Sequence, residues 1–506
     1  MLCLKRFKAE APDGWKLIGH ASLAFMLVTL CACTVGPDYV KPKTQVPLSY
    51  KELKGWKQAQ PRDFVSHGQW WKVFGDPELN ALEAQVNITN QNLAAAQAQF
   101  NEALAAVAVA RSAFFPVVSG GSSVSRSRLA NGFSSSGSAV GAPQGSSGAP
   151  SNDLRLSGNV AWELDLWGKV RRTVEESQAS AQASLADLEG VRLAATGQLA
   201  EDYFQLRAED SQYQILSMTV AAYKEFLRLT NNRYATGVAS QADVLQAKTQ
   251  LKTAEAQEID TRVQRAQLEH AIALLMGKPP SQLSIPVSPL DLTPPPTPVG
   301  LPSQLLERRP DIAAAERQAA AANAQIGVAI AAFYPTVTLS ASGGFEAANV
   351  AQWFAWPSRV WTLGPGALSQ TIFEGGLRRA ETEEARAAYD ASVASYRQTV
   401  LTAFQQVEDE LAALRILERE ALVQDEAVDA AKKSVAVETN QYKAGIVSAL
   451  DVITTQTIAL NDELTAASIR GRRMVADALL IQYLGGGWHA DTLCLCSPKE
   501  TSSAAR

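Results

Sequence analysis

The run Asp153-Leu-Arg-Leu-Ser-Gly-Asn-Val-Ala-Trp-Glu-Leu-Asp-Leu166 alternates residue by residue. Leu154, Leu156, Gly158, Val160, Trp162, Leu164 and Leu166 fall on one side of an extended chain; Asp153, Arg155, Ser157, Asn159 and Glu163 fall on the other. Successive side chains of a strand point to opposite faces, so this period predicts a strand with one apolar and one wet surface. About ten such residues with aromatics near the ends suit a transmembrane barrel strand, lipid outside and water inside. A half-buried strand of a soluble sheet has the same period. Farther along, Val337, Leu339, Ala341 and Phe345 alternate with Thr336, Thr338, Ser340 and Ser342. Partner strands from Pro116 to Arg128 and from Trp361 to Phe373 alternate poorly. Two short strand pairs amid hundreds of helical residues have no other sheet to pack on, which favours the barrel.

Outward from the strands, the chain is written twice. Leu93-Ala-Ala-Ala-Gln-Ala-Gln…Phe115-Pro116 aligns with Ile312-Ala-Ala-Ala-Glu-Arg-Gln…Tyr334-Pro335, an offset of 219 residues from 115 to 334. Trp167-Gly-Lys-Val-Arg-Arg172 aligns with Glu374-Gly-Gly-Leu-Arg-Arg379 at 207, and Arg233-Tyr-Ala-Thr-Gly237 with Gln441-Tyr-Lys-Ala-Gly445 at 208. The drop from 219 to 207 places about 12 extra residues in the first copy's Gly/Ser-rich loop, 131–150. Each copy reads helix, strand, loop, strand, long helix, turn, helix. The expected divisions are a first repeat over 77–278, a connector over 279–302 and a second repeat over 303–486. Nine of the 23 prolines lie in that connector, which therefore cannot be helical.

The long helices are predicted by what they lack. Gly376 to Gln441 contains no Pro and no further Gly, about 65 residues or about 100 Å at 1.5 Å per residue. Along it Val393, Tyr396, Val400, Ala403, Val407, Leu411 and Leu414 recur at three- and four-residue steps, close to a heptad seam. The turns that follow each long helix are built alike: Tyr234…Gly237…Ser240…Asp243 and Tyr442…Gly445…Ser448…Asp451. Gly ends one helix in a left-handed residue, Ser caps the next, and Asp takes the third position of a capping box.

The N-terminus reads as an address. Lys5, Arg6, Lys8 and Lys16 precede the apolar stretch Ala21–Leu30, as in an export signal over 1–32. Leu30-Cys-Ala-Cys33 has the form of a bacterial lipobox, and Cys33 fits the acylated position better than Cys31 because a small residue precedes it. Residues 33–76 then read as a lipidated extended segment, and 487–506 as a disordered tail. Four basic and two acidic side chains leave with the signal, taking the net charge from −5 to −7. No run after Cys33 has about 18 uninterrupted apolar residues, so any membrane crossing must use strands.

Composition narrows the function. An acidic chain offers no basic surface for nucleic acid. The five cysteines (Cys3, Cys31, Cys33, Cys494, Cys496) leave 34–493 empty of them, excluding a disulfide-stapled fold. HExxH, GxxxxGK[ST] and GxSxG are all missing. The expectation is a non-enzyme without cofactor, metal site or catalytic residue.

Six ordered motifs resemble the outer membrane factor family of TolC-like ducts, in the lipoprotein branch typified by OprM and NodT. They are Cys33-Thr-Val-Gly-Pro-Asp-Tyr39, Trp162-Glu-Leu-Asp-Leu-Trp-Gly168, Glu307-Arg-Arg-Pro-Asp-Ile312, Phe333-Tyr-Pro335, Phe373-Glu-Gly-Gly376 and Gln406-Val-Glu-Asp409. The resemblance covers about residues 33–488. It implies a mainly α fold with a small β part: a long coiled-coil periplasmic barrel, plus four strands per chain in a shared trimeric twelve-stranded outer-membrane barrel. It further implies an exit duct for small toxic compounds, in a tripartite efflux or type I-like secretion system of a Gram-negative bacterium. The implied partners are two further copies, a periplasmic adaptor (membrane fusion) protein, an inner-membrane pump and outer-membrane lipid. By position, Tyr234, Gly237, Ser240, Asp243, Tyr442, Gly445, Ser448 and Asp451 match the family's periplasmic tip, where aspartates ring the closed end. The alternative for Asp243 and Asp451 is a capping-box acid alone, helped by the helix dipole, and the family's ring of aspartates weighs against it more for Asp451 than for Asp243. An Arg that pins the gate in some relatives is Val447 here. An exported lipoprotein adaptor, or a structural coiled-coil protein of the envelope, is the alternative; an adaptor would lack two strand–loop–strand copies.

Overall fold

The computed structural model of the chain describes residues 34–52, 69–128, 150–295, 307–364 and 366–488. The expected export signal, Cys33, nearly all of the 131–150 loop, the last part of the connector and the tail beyond Trp488 lie outside the described residues. The first copy contains α1 (Pro77–Thr89), α2 (Gln91–Ser112), β1 (Val117–Ser127), β2 (Ser151–Leu164), α3 (Lys169–Ala235) and α4 (Gln241–Leu275). The second contains α5 (Pro310–Ala331), β3 (Thr336–Ala347), β4 (Arg359–Leu363), β5 (Ala367–Ser369), α6 (Leu377–Ala444) and α7 (Ala449–Tyr483). The first copy's opening helix, expected as one, is broken at Asn90. That residue is extended (φ −65°, ψ 122°), and its side chain accepts from Leu93 N–H at 3.0 Å to start α2. Both α2 and α5 stop short of Pro116 and Pro335, finishing in tight turns that carry the chain into extended geometry.

The chain packs as two units. One holds residues 103–180 and 319–392 with the N-terminal segment up to Lys41. Its antiparallel sheet has the order β1-β2-β3-β4, with β5 pairing the same side of β3 as a continuation of β4. The β3 partner sums change between the two segments: Ala341 faces Leu363, but Thr338 faces Ala367. The pairing register along β3 therefore slips by one residue between β4 and β5. The fourth strand position begins at Arg359 and not at Trp361, and its poor alternation has a cause: this slip moves its apolar set from odd to even numbers. Beneath the sheet, the Trp-Gly and Tyr-Pro motifs meet. Trp167 stacks on Tyr334 with centroids 4.9 Å apart, and its Nε1 donates to Pro335 O at 2.8 Å. Val35 N–H donates to Trp167 O at 3.1 Å, laying the N-terminal segment over Gly168. Gly168 has φ +82°, and a Cβ there would stand 2.8 Å from the Thr34 methyl, so no larger residue fits. Arg172 clamps the same segment through Val35 O, Gly36 O and Asp38.

The other unit holds residues 42–102, 181–318 and 393–506, of which the described part is mostly helical. The α6 seam is its spine: Tyr396, Val400, Ala403, Val407 and Leu411 are all buried, packed with Ile312, Ala476 and Leu480. A second cluster joins Trp70, Trp71 and Phe74 to Leu199, Tyr203, Phe204, Ile272 and Met474. Asp210, fully buried, accepts from Arg265 Nε at 2.7 Å, Arg207 at 3.1 Å and Ser288 N–H at 3.0 Å. Arg207 also donates to Pro286 O at 2.7 Å. These bonds strap the connector, extended after a short turn at Pro280–Gln282, across α3 and α4. Its carbonyls and N–H groups thereby find partners that a helix would have supplied internally.

Candidate functional site

Two places can do work, and the first is the sheet. Paired residues of an antiparallel sheet share a face, so the registers sort every side chain. Val118, Val160, Ala341 and Leu363 stand on one side together, with Trp162, Leu339, Phe345, Trp361 and, past the register slip, Leu368. Ser119, Asn159, Ser342 and Thr362 stand on the other, with Asp153, Arg155, Glu163 and Glu346. Trp361 and Leu363 are 78% and 82% exposed. Large apolar side chains left in water each forgo about 1.5–3 kcal/mol of burial, which a hydrocarbon environment restores. Among the described residues, β1 and the β4–β5 strand are each paired on one side only, leaving two open edges. No described helix is long and apolar enough to cross a membrane.

The second place is the pair of helix-to-helix turns. Gly237 (φ +75°) and Gly445 (φ +80°) supply the left-handed residue that lets the next N–H reach back over the helix end. Gly237 N–H donates to Tyr234 O and Val238 N–H to Arg233 O, both at 2.9 Å; Gly445 and Ile446 repeat this onto Tyr442 O and Gln441 O at 2.9 Å. Ser240 and Ser448 cap the returning helices. Asp243 N–H donates to Ser240 Oγ at 3.1 Å while the Asp243 carboxylate accepts from Ser240 N–H at 2.8 Å. The Ser448–Asp451 pair does the same at 3.4 and 3.0 Å. The Ser448 hydroxyl and then its backbone N–H hold the Asp451 carboxyl below the usual carboxylate range. Asp451 is exposed and Asp243 only half so.

The two tyrosines diverge. Tyr234 is 47% exposed, whereas Tyr442 is 3% exposed and lies against Phe226 at 5.3 Å. Arg233 explains the difference. Its guanidinium stacks over the Tyr442 ring at 4.5 Å and donates to Tyr442 O at 2.5 Å, tying the end of α3 to the end of α6. Tyr442 Oη in turn donates to Thr230 Oγ1 at 3.4 Å. Val447 packs with Phe226, Ala449 and Ile453 in the same apolar cluster. Sequence reasoning singled out the turns but not Arg233, Thr230 or Phe226. The one trace was the repeat alignment, where Arg233 faces Gln441 and only the first copy carries the cation. Cys33 lies outside the described residues.

The sequence profile of the family described as outer membrane efflux protein matches residues 83–278 and 301–486. The toluene efflux pump outer membrane protein TtgC of Pseudomonas putida is 30% identical over 474 residues, 93% of this chain and 96% of that protein. The pyoverdine export outer membrane protein OpmQ of Pseudomonas aeruginosa is 33% identical over 474 residues, 93% and 98% of the two chains. Among solved structures, the outer-membrane channel OprN superposes with a TM-score of 0.82 at 30% identity, covering 90% of this chain and all of that one.

Proposed function

The chain belongs to the outer membrane efflux protein family and is an outer-membrane efflux channel, and from that premise we propose that three copies close one conduit. The sheet carries this reading: it has four strand positions, an apolar face and an open edge on each side. Four strands cannot close a barrel, whose smallest examples take about eight. Three sheets, β1 of one copy joined to β4 and β5 of the next, supply a closed ring with polar residues toward the water. Residues 77–278 and 303–486 act as two copies of one building unit, joined by the 279–302 connector. Extracted gently from outer membranes, the protein should migrate as an oligomer that collapses to monomer on boiling, and should conduct ions in planar bilayers. A non-conducting monomer would defeat the proposal.

Acylation at Cys33 adds a second attachment to the outer membrane, supported by the lipobox. The conduit works with a periplasmic adaptor and an inner-membrane pump, without a catalytic step or cofactor of its own. Its cargo is small toxic compounds, a reading supported by the toluene for which one relative is named. The turn residues form the periplasmic gate. Asp243 and Asp451 cap their helices and also turn negative charge toward the constriction, while Arg233 serves as the latch in place of the arginine missing at Val447.

A further inference from the structure

The two strand-to-strand connections of this chain differ in chemistry. The first is Gly/Ser-rich, whereas the second, 348–358, reads Ala-Asn-Val-Ala-Gln-Trp-Phe-Ala-Trp-Pro-Ser. It is held by its own hydrogen bonds: Trp353 N–H to Val350 O at 3.2 Å, Ala355 N–H to Gln352 O at 3.0 Å and Ser358 Oγ to Gln352 O at 2.6 Å. Yet Val350, Phe354 and Trp356 are 73%, 64% and 76% exposed. An ordered segment that presents large apolar rings outward needs an occupant.

The register says on which side of the sheet the rings lie. Phe345 and Arg359 are paired, and both belong to the apolar face with Trp361 and Leu339. Phe354 meets Phe345 edge-on at 5.6 Å, and Trp353 stacks on Phe354 at 5.2 Å. Arg359 stacks over the Trp356 ring and donates from Nε to Trp356 O at 3.3 Å. Leu154, on the same face at the same end of β2, is 5% exposed, against 37% for Leu156 one step lower. The connection therefore continues the apolar face past the strand ends, away from the polar face that would surround the exit mouth.

We propose that 348–358 is a lipid-headgroup anchor: Phe354 and Trp356 lie in the headgroup layer of the outer leaflet, and Arg359 meets lipid phosphate there. Indole and phenyl rings settle at the membrane–water boundary, where one end is apolar and the other wet. A guanidinium stacked on such a ring keeps its remaining donors free for an anion. This inference rests on the barrel reading, since the apolar face must already face lipid.

The test uses the full-length oligomer in phosphatidylcholine vesicles whose chains are brominated either near the headgroup or near the chain end. The emission difference between wild type and Trp356→Phe reports Trp356 alone. That signal should lose most of its intensity with shallow bromines, less with deep ones, and little with aqueous iodide. Quenching by iodide without a bromolipid response would overturn the anchor by placing the connection in water. Protection from both would overturn it in favour of a neighbouring protomer. The corresponding Trp361→Phe difference reads the strand itself: if it also escapes bromolipid, the barrel assignment has failed and not the anchor alone. Trp353→Phe repeats the measurement at a second ring should Trp356→Phe not assemble.

Discussion

Arg233 holds two helix ends together with one guanidinium, and that makes it the residue on which the gate reading turns. A hydrogen bond to a charged donor contributes about 1.5–3 kcal/mol, so losing it should shift a closed–open equilibrium roughly tenfold or more. Arg233→Ala is therefore expected to raise resting conductance in planar bilayers and admit large antibiotics to whole cells. Arg233→Lys should restore only part, because lysine cannot both stack and donate as a fork. For Asp451 the two roles separate with Asn, whose amide oxygen can still accept from Ser448 N–H but carries no charge. Asp451→Asn should weaken block by divalent cations while leaving assembly intact; undiminished block would leave the cap as its whole role. Glu410 gives a pH test. Burial first, then the charges of Asp409 and Glu201, push its carboxyl from 4.5 to about 7. The folded state then holds the proton more tightly than the unfolded one, so the associated stability is full below about 4.5 and lost as pH rises through about 7. Glu410→Gln should accordingly raise the melting temperature above about pH 7 and leave it unchanged near pH 4. The turn residues were legible from sequence because a cap is local chemistry, a Gly, a Ser and an Asp within seven positions. Arg233 was not, because its partner Tyr442 is 209 residues away.

Elements were legible in proportion to how long one period lasts. The α6 seam keeps its three- and four-residue steps over six turns, and all seven predicted positions from Val393 to Leu414 are buried. The spine carries a direct prediction. Leu411 is fully buried, so Leu411→Ala should cost about 2–5 kcal/mol in urea or thermal unfolding followed by helical circular dichroism. Exposed Leu422 on the same helix should cost far less. β2 and β3 declared themselves because eleven pairs run without interruption. The fourth strand position did not, because a one-residue register slip between β4 and β5 shifts its apolar set from Trp361 and Leu363 to Leu368, leaving two half-signals that cancel. β1 hid for a different reason: Gly120, Gly121 and five serines give neither face a strong sign, and only pairing with β2 assigns Val118 and Val124. The Asn90 break was equally silent, since one asparagine in an alanine-rich run looks like a tolerated helix residue until its side chain is seen capping α2.

Two attachments to the outer membrane are proposed for the whole molecule, and they differ in what they can do. The sheet presents a broad apolar face whose residues, from Val118 on β1 to Leu368 on β5, gain by leaving water. Once closed by three chains, such a barrel satisfies its backbone internally and has no route out of the bilayer. An acyl chain contributes about 0.8 kcal/mol per buried methylene, and a single chain binds only marginally and reversibly. The lipid at Cys33 is therefore expected to act before closure, keeping each chain at the membrane while it finds two partners, and to become dispensable afterward. Labelled palmitate should enter wild type and not Cys33→Ser. The variant should still yield boiling-sensitive trimers with unaltered single-channel conductance, but should reach them more slowly in a pulse-chase of assembly. Equal labelling of both proteins would remove Cys33 as the acylation site. Loss of conductance from correctly formed Cys33→Ser trimers would show that the lipid shapes the pore, which the sheet's polar face gives no reason to expect.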